Sequence, residues 1–276
     1  MSDIFRPMTL NEAVGFAAGR TCILAAGCTD LFPATAAQAL RGPVLDLTAL
    51  DELKGVSQTA DGWRIGALTT WTDLRAAPLP PAFDGLKAAA REIGSVQIQN
   101  AGTIGGNLCN ASPAADGVPP LLTLDAVVEL KSRDEARDVP LADFMCGVRK
   151  TVLRPGEIMT AIKIPGESSA GRSAFLKLGA RKYLVISIAM VAARIAVADG
   201  RIVSVALSVG ACSPVAVRLT PLEAALSGME PKAAANAVTE DIVAQSLAPI
   251  DDIRADAMYR VTAAADLVRK VLGLLS

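Results

Sequence analysis

The apolar positions change period several times along the chain, and each change marks an element. Ala13, Val14, Phe16 and Ala17 follow the capping pair Thr9 and Glu12 and predict a helix over 10–18, closed by Gly19. Thr21-Cys22-Ile23-Leu24-Ala25-Ala26 is an apolar run of strand length, broken by Gly27-Cys28-Thr29-Asp30. Residues 31–40 read as a helix capped by Thr29 or Asp30. Val44-Leu45-Asp46-Leu47 reads as a strand, and Asp61-Gly62 before Trp63-Arg64-Ile65-Gly66 as a hairpin turn. Thr70 and Asp73 suit the start of a short helix. Residues 86–93 read as another helix, ended by Gly94. Val96-Gln97-Ile98-Gln99 alternates as a strand does. Then comes Ala101-Gly102-Thr103-Ile104-Gly105-Gly106-Asn107, the most glycine-dense stretch. Residues 114–124 read as helical despite Pro119 and Pro120, and Val127-Val128-Glu129-Leu130 and 158–164 as strands.

Pro165-Gly166-Glu167-Ser168-Ser169-Ala170-Gly171 has the make-up of a linker, and the pattern changes after it. Residues 173–178, 186–197 and 202–209 are long strand-like runs, the last two joined by the hairpin pair Asp199-Gly200. From Leu222 onward the chain is alanine-rich and helical. Met258, Val261, Ala265, Val268, Leu272 and Leu275 form one stripe of a final helix. A chain of 276 residues suits one large domain or two small ones.

Composition narrows the chemistry. There is no histidine, which removes Ser-His-Asp and Cys-His machinery, the usual catalytic zinc sites and any flavin tethered through histidine. The five cysteines, Cys22, Cys28, Cys109, Cys146 and Cys212, contain no CxxC pair, so neither an iron–sulfur cluster nor a structural zinc is expected. An odd count without a framework fits a reducing, cytoplasmic compartment. The net charge of -1 offers no field to recruit nucleic acid or an anionic membrane. Residues 1–7 lack a signal-peptide pattern, and the most apolar window, 184–193, is too short to span a membrane. Redox or group-transfer chemistry would therefore fall to a bound cofactor.

Two turns have the make-up of an anion holder. Gly27 ends an apolar strand with a helix expected within three residues, and a helix start presents unpaired N–H groups to an anion. Gly102, Gly105 and Gly106 leave amides uncovered, and Asn107 tolerates a left-handed conformation, so a nest of N–H groups is expected there too. The second turn is neither a Walker A loop nor GxGxxG. Together they suit a dinucleotide pyrophosphate gripped from both sides. Asp116 follows as either an acceptor for a ribose or adenine edge or a helix-surface carboxylate.

The stretch Ile93-Gly94-Ser95-Val96-Gln97-Ile98-Gln99-Asn100-Ala101-Gly102-Thr103-Ile104-Gly105-Gly106-Asn107-Leu108-Cys109-Asn110-Ala111-Ser112-Pro113-Ala114-Ala115-Asp116 closely resembles the FAD-binding, or medium, subunit of molybdenum hydroxylases. These are the xanthine dehydrogenase, aldehyde oxidase and carbon monoxide dehydrogenase relatives. Ala25-Ala26-Gly27-Cys28-Thr29-Asp30-Leu31 resembles the other flavin loop of that family, and residues 147–158 and 173–177 resemble further signatures.

The resemblance implies an α+β fold. A vanillyl-alcohol-oxidase-type FAD-binding domain of two α/β subdomains (1–168, divided into about 1–54 and 55–168) would precede a C-terminal domain over 172–276 with a three-stranded antiparallel sheet and helices. It implies noncovalent FAD. Leu24, Ala25, Ala26, Gly27, Cys28, Thr29, Asp30 and Leu31 would lie on one side of the diphosphate. Ala101, Gly102, Thr103, Ile104, Gly105, Gly106 and Asn107 would lie on the other. Asp116 would hold the adenosine half, Met159 and Lys177 would make further contacts, and Ile186 would approach the isoalloxazine.

No catalytic side chain and no metal ligand is expected. Molybdopterin and [2Fe-2S] clusters would sit in large and small partner subunits, in a dimer of heterotrimers that passes electrons to NAD+, oxygen or another acceptor. Against the family pattern, Cys28 replaces the commonest glycine, Val185 stands near a position often acidic, and Ser95 and Gln99 replace a histidine and an arginine. The rival reading is a self-sufficient vanillyl-alcohol-oxidase-type flavin oxidase, which would need a base or tethered flavin of its own.

Overall fold

The computed structural model describes residues 3–36 and 40–276. A small parallel sheet comes first, with Val44–Asp46 between Ile4–Phe5 and Ile23–Ala25. Helix Leu10–Ala17 buries Leu10, Ala13, Val14 and Ala17 against Leu45, Leu47, Leu50 and Leu53. Its start is the expected capping box: the Thr9 hydroxyl accepts from the Glu12 amide, and the Glu12 carboxylate accepts from the Thr9 amide.

A five-stranded antiparallel sheet follows, in the order Val56–Thr59, Gly62–Gly66, Ile158–Pro165, Val127–Lys131, Ala136–Pro140. The hairpin at Gly62 forms as expected. Its φ is +143°, and a Cβ there would overlap the Ile164 carbonyl, so glycine is required. Helices Trp71–Ala76, Asp84–Glu92, Ile104–Asn110 and Val118–Thr123 contribute to the core on this sheet, with Trp71, Phe83, Leu86, Ile104 and Leu108 buried there.

The C-terminal sheet is antiparallel. Three long strands, Arg172–Leu178, Ala189–Ala198 and Arg201–Gly210, are joined by the two-residue strand Val217–Arg218. Asp199 and Gly200 both have positive φ, the geometry of a type I′ turn. Alternation sorts the central strand. Ala189, Val191, Ala193 and Ile195 share a core with helix Ala257–Leu274, while Met190 and Ala192 cluster with Ala89 and Phe175. The apolar stripe of that final helix is buried from Ala265 onward; Met258 is exposed and Val261 half-buried, so the buried face begins later than the spacing predicts.

Three expectations are corrected. The helix over 31–40 is absent from its described part: 31–34 form turns, and 37–39 lie outside the described residues. Pro33 explains the stop, because the residue before a proline is pushed out of the helical region. Residues 96–99 are not a strand but the start of helix Val96–Ala101, capped by Ser95. The alternation misleads because the buried residue is Gln99, while Val96 is exposed. Gln99 is satisfied in place: Arg75 donates to its Oε1 at 2.8 Å, and its Nε2 donates to the Arg91 carbonyl at 3.1 Å. Helicity within 114–124 is confined to Val118–Thr123, with Pro119 and Pro120 in a first turn whose amides need no partner. Strand Ala136–Pro140 and hairpin Met145–Gly147/Lys150–Thr151 went unread, since such short segments carry no sustained apolar alternation.

Candidate functional site

Strand Ile23–Ala25 ends at the first glycine turn, where Cys28 adopts a left-handed φ of +56°. The amides of Gly27, Cys28, Thr29, Asp30 and Leu31 donate to no acceptor among the described residues. Consecutive free amides around a left-handed residue form an anion-binding concavity. Gly27 is fixed by proximity: a Cβ there would overlap the Ala101 carbonyl oxygen and lie 2.9 Å from Gly102 Cα. The two glycine turns therefore touch.

The second turn differs from the nest expected of it. Thr103 caps helix Ile104–Asn110, its hydroxyl accepting from the Gly106 amide at 3.1 Å. The amides of Gly102, Ile104, Gly105 and Asn107 donate to the carbonyls of Ile98, Thr69, Ala67 and Thr103. Donors in this loop are thus engaged within the protein. A Cβ on Gly105 would lie 2.7 Å from both Ala67 Cβ and Ala67 O, which makes this glycine a packing position. Gly106 is exposed, and a Cβ on it would meet Thr103 Oγ1 alone, at 2.8 Å. What the loop does offer is Asn107 Oδ1, buried and without a hydrogen-bond partner. An orphaned buried acceptor costs about 1–3 kcal/mol unless a ligand or water donates to it.

Between the turns lies a cavity of about 350 Å³. Leu24, Ala26, Gly27, Cys28, Thr29, Asp30 and Leu31 line it from one turn, and Gly102, Thr103, Gly106 and Asn107 from the other. It shares Asp30, Ile93, Ile98, Asn107 and Asn110 with a second cavity of about 460 Å³, and the two make one cleft. The second is also lined by Asp116, Arg149 and residues 184–186. Ala25, Ala101, Ile104, Gly105 and Met159 line neither cavity; Met159 is buried in the core of the five-stranded sheet. Lys177 lines a separate cavity of about 440 Å³, though its ammonium reaches Asp116.

Asp116 is not a surface carboxylate. It is 7% exposed, with Oδ2 2.7 Å from Lys177 Nζ and Oδ1 accepting from Ser187 Oγ at 2.5 Å. Burial pushes its carboxyl above the usual range, opposed by the Lys177 charge and by both hydrogen bonds. The Cys28 thiol donates to the Ala26 carbonyl and is pushed up by burial and by the Asp46 charge, so it is a poor nucleophile toward a flavin.

The sequence reading passed over several wall residues. Trp71, Ile93 and Ile98 supply apolar surface, and Arg149 is the cation on the cleft wall among the described residues. Arg149 sits at the left-handed tip of the 145–151 hairpin, its amide donating to the Ala111 carbonyl and its guanidinium to Asn110. The signal available was the local sequence Gly147-Val148-Arg149-Lys150, which lacks any apolar period.

A free amide run, a buried acceptor without a partner and a glycine contact that closes the cleft together fit a large anionic cofactor. Comparison with known proteins gives its class. A family model described as the FAD binding domain in molybdopterin dehydrogenase matches residues 1–167, and one described as the CO dehydrogenase flavoprotein C-terminal domain matches 174–275. The chain belongs to the family of FAD-binding subunits of molybdenum hydroxylases, a family of oxidoreductase subunits.

The nicotinate dehydrogenase FAD-subunit of Eubacterium barkeri is 37% identical over 194 residues, covering 67% of this chain and 66% of that protein. The xanthine dehydrogenase FAD-binding subunit of Escherichia coli O157:H7 is 30% identical, covering 83% of this chain and 80% of that protein. Among solved structures, a chain of reconstituted CO dehydrogenase from Oligotropha carboxidovorans superposes with a TM-score of 0.92 at 27% identity, over 100% of this chain and 97% of that one. No helix among the described residues is long and apolar enough to cross a membrane.

Proposed function

We propose that this chain holds one noncovalent FAD in the cleft and serves as the electron-transfer subunit of a heteromeric molybdenum hydroxylase. The observation that carries the reading is the run of free amides from Gly27 to Leu31 together with the unpartnered Asn107 Oδ1, on two touching turns that line one cavity. Bound FAD would supply the redox chemistry that links one-electron donors to a two-electron acceptor.

The protein's part is to bind, orient and exclude water. The amides of 27–31 would hold the diphosphate without a basic side chain. Asn107 Oδ1 would take a donor from the cofactor. Asp116, anchored on both oxygens, keeps lone pairs to accept from a sugar or base edge. Trp71 and Ile98 would shield the cofactor from solvent, and Ile186, 61% exposed on the cleft wall, would lie against the flavin ring.

The molybdenum centre and the [2Fe-2S] clusters belong in this proposal to a large and a small partner, assembled as a dimer of heterotrimers. NAD+, oxygen or another acceptor would take the electrons. The five free cysteines support a cytoplasmic setting. The division into 1–168 and 172–276, with a boundary near 54 inside the first part, belongs to the same proposal. It is supported by three sheets, each with its own hydrophobic cluster.

The test is to purify the chain and titrate the apoprotein with FAD. A bound flavin near one per chain, released intact by acid, is expected. Substrate oxidation by the chain alone, at a rate unchanged by adding large and small subunits, would favour the self-sufficient oxidase; failure to bind FAD would overturn both.

A further inference from the structure

Arg149 stands at the tip of hairpin Met145–Gly147/Lys150–Thr151 in a left-handed conformation, with φ +57°. Glycine or asparagine takes that conformation with less strain. A strained residue held in place by its surroundings points to a task for its side chain. The surroundings do hold this one. Its amide donates to the Ala111 carbonyl at 2.9 Å, and its Nη1 donates to the carbonyl and to Oδ1 of Asn110. Both residues close helix Ile104–Asn110, whose first turn belongs to the second glycine turn.

The guanidinium is nevertheless only half used. Nε and Nη2 donate to no acceptor among the described residues. Asp116, the buried carboxylate on the same cavity wall, is taken by Lys177 instead. Nε and Nη2 form one fork of the guanidinium, the arrangement that meets two neighbouring acceptors of a planar group. Arg149 lines the second cavity, with Asp116 and Ile186. It does not line the first, where the free amides of 27–31 gather. The diphosphate those amides would hold therefore makes no call on the fork, which is left for another part of the ligand.

We propose that Arg149 sets the reduction potential of the flavin: its free fork meets the neighbouring ring nitrogen and carbonyl oxygen on the pyrimidine side of the ring, and its charge favours the reduced form. This rests on the reading that the cleft takes FAD with the ring against Ile186. Two electrons and one proton added to the ring leave it one negative charge, spread over that nitrogen and oxygen. A fixed cation beside them stabilises the reduced ring more than the oxidised one.

Full-length Arg149→Gln, Arg149→Gly and Arg149→Lys proteins loaded with FAD would be compared with wild type in three measurements. These are the two-electron midpoint potential by titration against reference dyes, FAD affinity by fluorescence, and the melting temperature of the apoprotein. Arg149→Gln should lower the potential by about 30 mV or more, the equivalent of a tenfold loss of preference for the reduced form. Arg149→Gly, which removes the side chain and relieves the turn, should lower it as far. Arg149→Lys, which keeps the charge without the fork, should recover part of the fall.

A smaller fall in either neutral variant overturns the proposal. A mere strut between hairpin and helix gives lower melting temperatures at unchanged potential, and a contact with the diphosphate gives weaker FAD binding at unchanged potential; both results count against it. Should Arg149→Gln fail to fold, Arg149→Gly decides alone. Failure of the parent reading looks different, since wild-type protein would then take up no FAD, and the proposal would fall with it.

Discussion

A side chain on Gly27 has nowhere to go, because the Ala101 carbonyl and Gly102 Cα already occupy its space. Gly27→Val should force the two turns apart and yield protein that folds but does not retain FAD, measured as flavin absorbance after gel filtration. Gly105→Ala should act on the fold instead. Its Cβ would press on Ala67, an overpacking that costs about 1–3 kcal/mol, read as a lower melting temperature with less effect on FAD. Gly106 faces the cavity, and Gly106→Ala should weaken FAD with little change in stability. Full flavin retention in folded Gly27→Val and Gly106→Ala proteins would show that the turns are merely structural. The cysteines divide in the same residue-by-residue way. Burial pushes the Cys109 and Cys212 thiols up to about 12, while Cys146 is exposed. Iodoacetamide near pH 8 should therefore label Cys146 first and leave Cys109 and Cys212 unmodified in the folded protein, as peptide mass mapping would show. Early labelling of Cys109 would mean that the first cavity admits solvent far more freely than its walls indicate.

At the scale of elements, the excursion between strands Ala136–Pro140 and Ile158–Pro165 is stapled by a largely buried ion pair. Arg137 grips both Glu157 oxygens, at 2.6 and 2.8 Å, and donates to the Val152 carbonyl; the Arg154 amide also donates to Glu157. The Arg137 hydrogen bonds hold the Glu157 carboxyl below its ordinary value of 4.5, against the opposing effect of burial. A lowered carboxylate stabilises the fold fully above its ordinary value and loses that contribution as pH falls through its folded value. Acid sensitivity from this pair is therefore expected below about pH 4.5. Glu157→Gln should cost about 2 kcal/mol at pH 7 and less at pH 3, measured by urea unfolding. An equal cost at both pH values would remove the pair from the account. Elements such as this excursion also mark where the sequence was legible and where it was not. Capped helices and glycine hairpins were readable, because Thr9 with Glu12, Thr70 with Asp73, and Asp199 with Gly200 announce themselves through local chemistry. Val96–Ala101 was not, because its burial is carried by a glutamine whose partners, Arg75 and Arg91, lie on other helices. The site shows the same split. The Gly27 turn is where a strand-end glycine suggests it, whereas the second turn hides its amides in contacts with Ala67 and Thr69 that no local pattern reveals.

Across the whole molecule, the C-terminal sheet is joined to the helices of the five-stranded sheet through Asp125. Arg194 is 4% exposed and donates to the Thr123 carbonyl at 2.7 Å and to Asp125 Oδ2 at 3.3 Å. Arg218 donates to Asp125 Oδ1 at 2.7 Å and to the Leu122 carbonyl at 2.9 Å, while Glu223 holds its other edge. Ser168, from the connection between the sheets, donates to Asp125 Oδ2 at 2.7 Å. One half-exposed carboxylate thus collects two guanidinium groups and a hydroxyl from three separate stretches of chain. Removing it leaves Arg194 buried with a carbonyl as its remaining acceptor, which is more damaging than losing a surface pair. Asp125 is itself 46% exposed on its side chain, so water relieves part of the loss. Asp125→Ala should cost about 2 kcal/mol, or a fall of about 4–8 °C in melting temperature for a chain of this size. The same fastening holds residues 184–186 over the cleft, since they lead into the central strand that bears Arg194. Asp125→Ala should therefore weaken FAD binding as well, though the substitution lines neither cavity. Calorimetry with and without FAD checks both halves. A normal melting temperature together with normal FAD affinity would mean that apolar contacts alone, such as Phe175 and Met190 with Ala89, set how the sheets sit together.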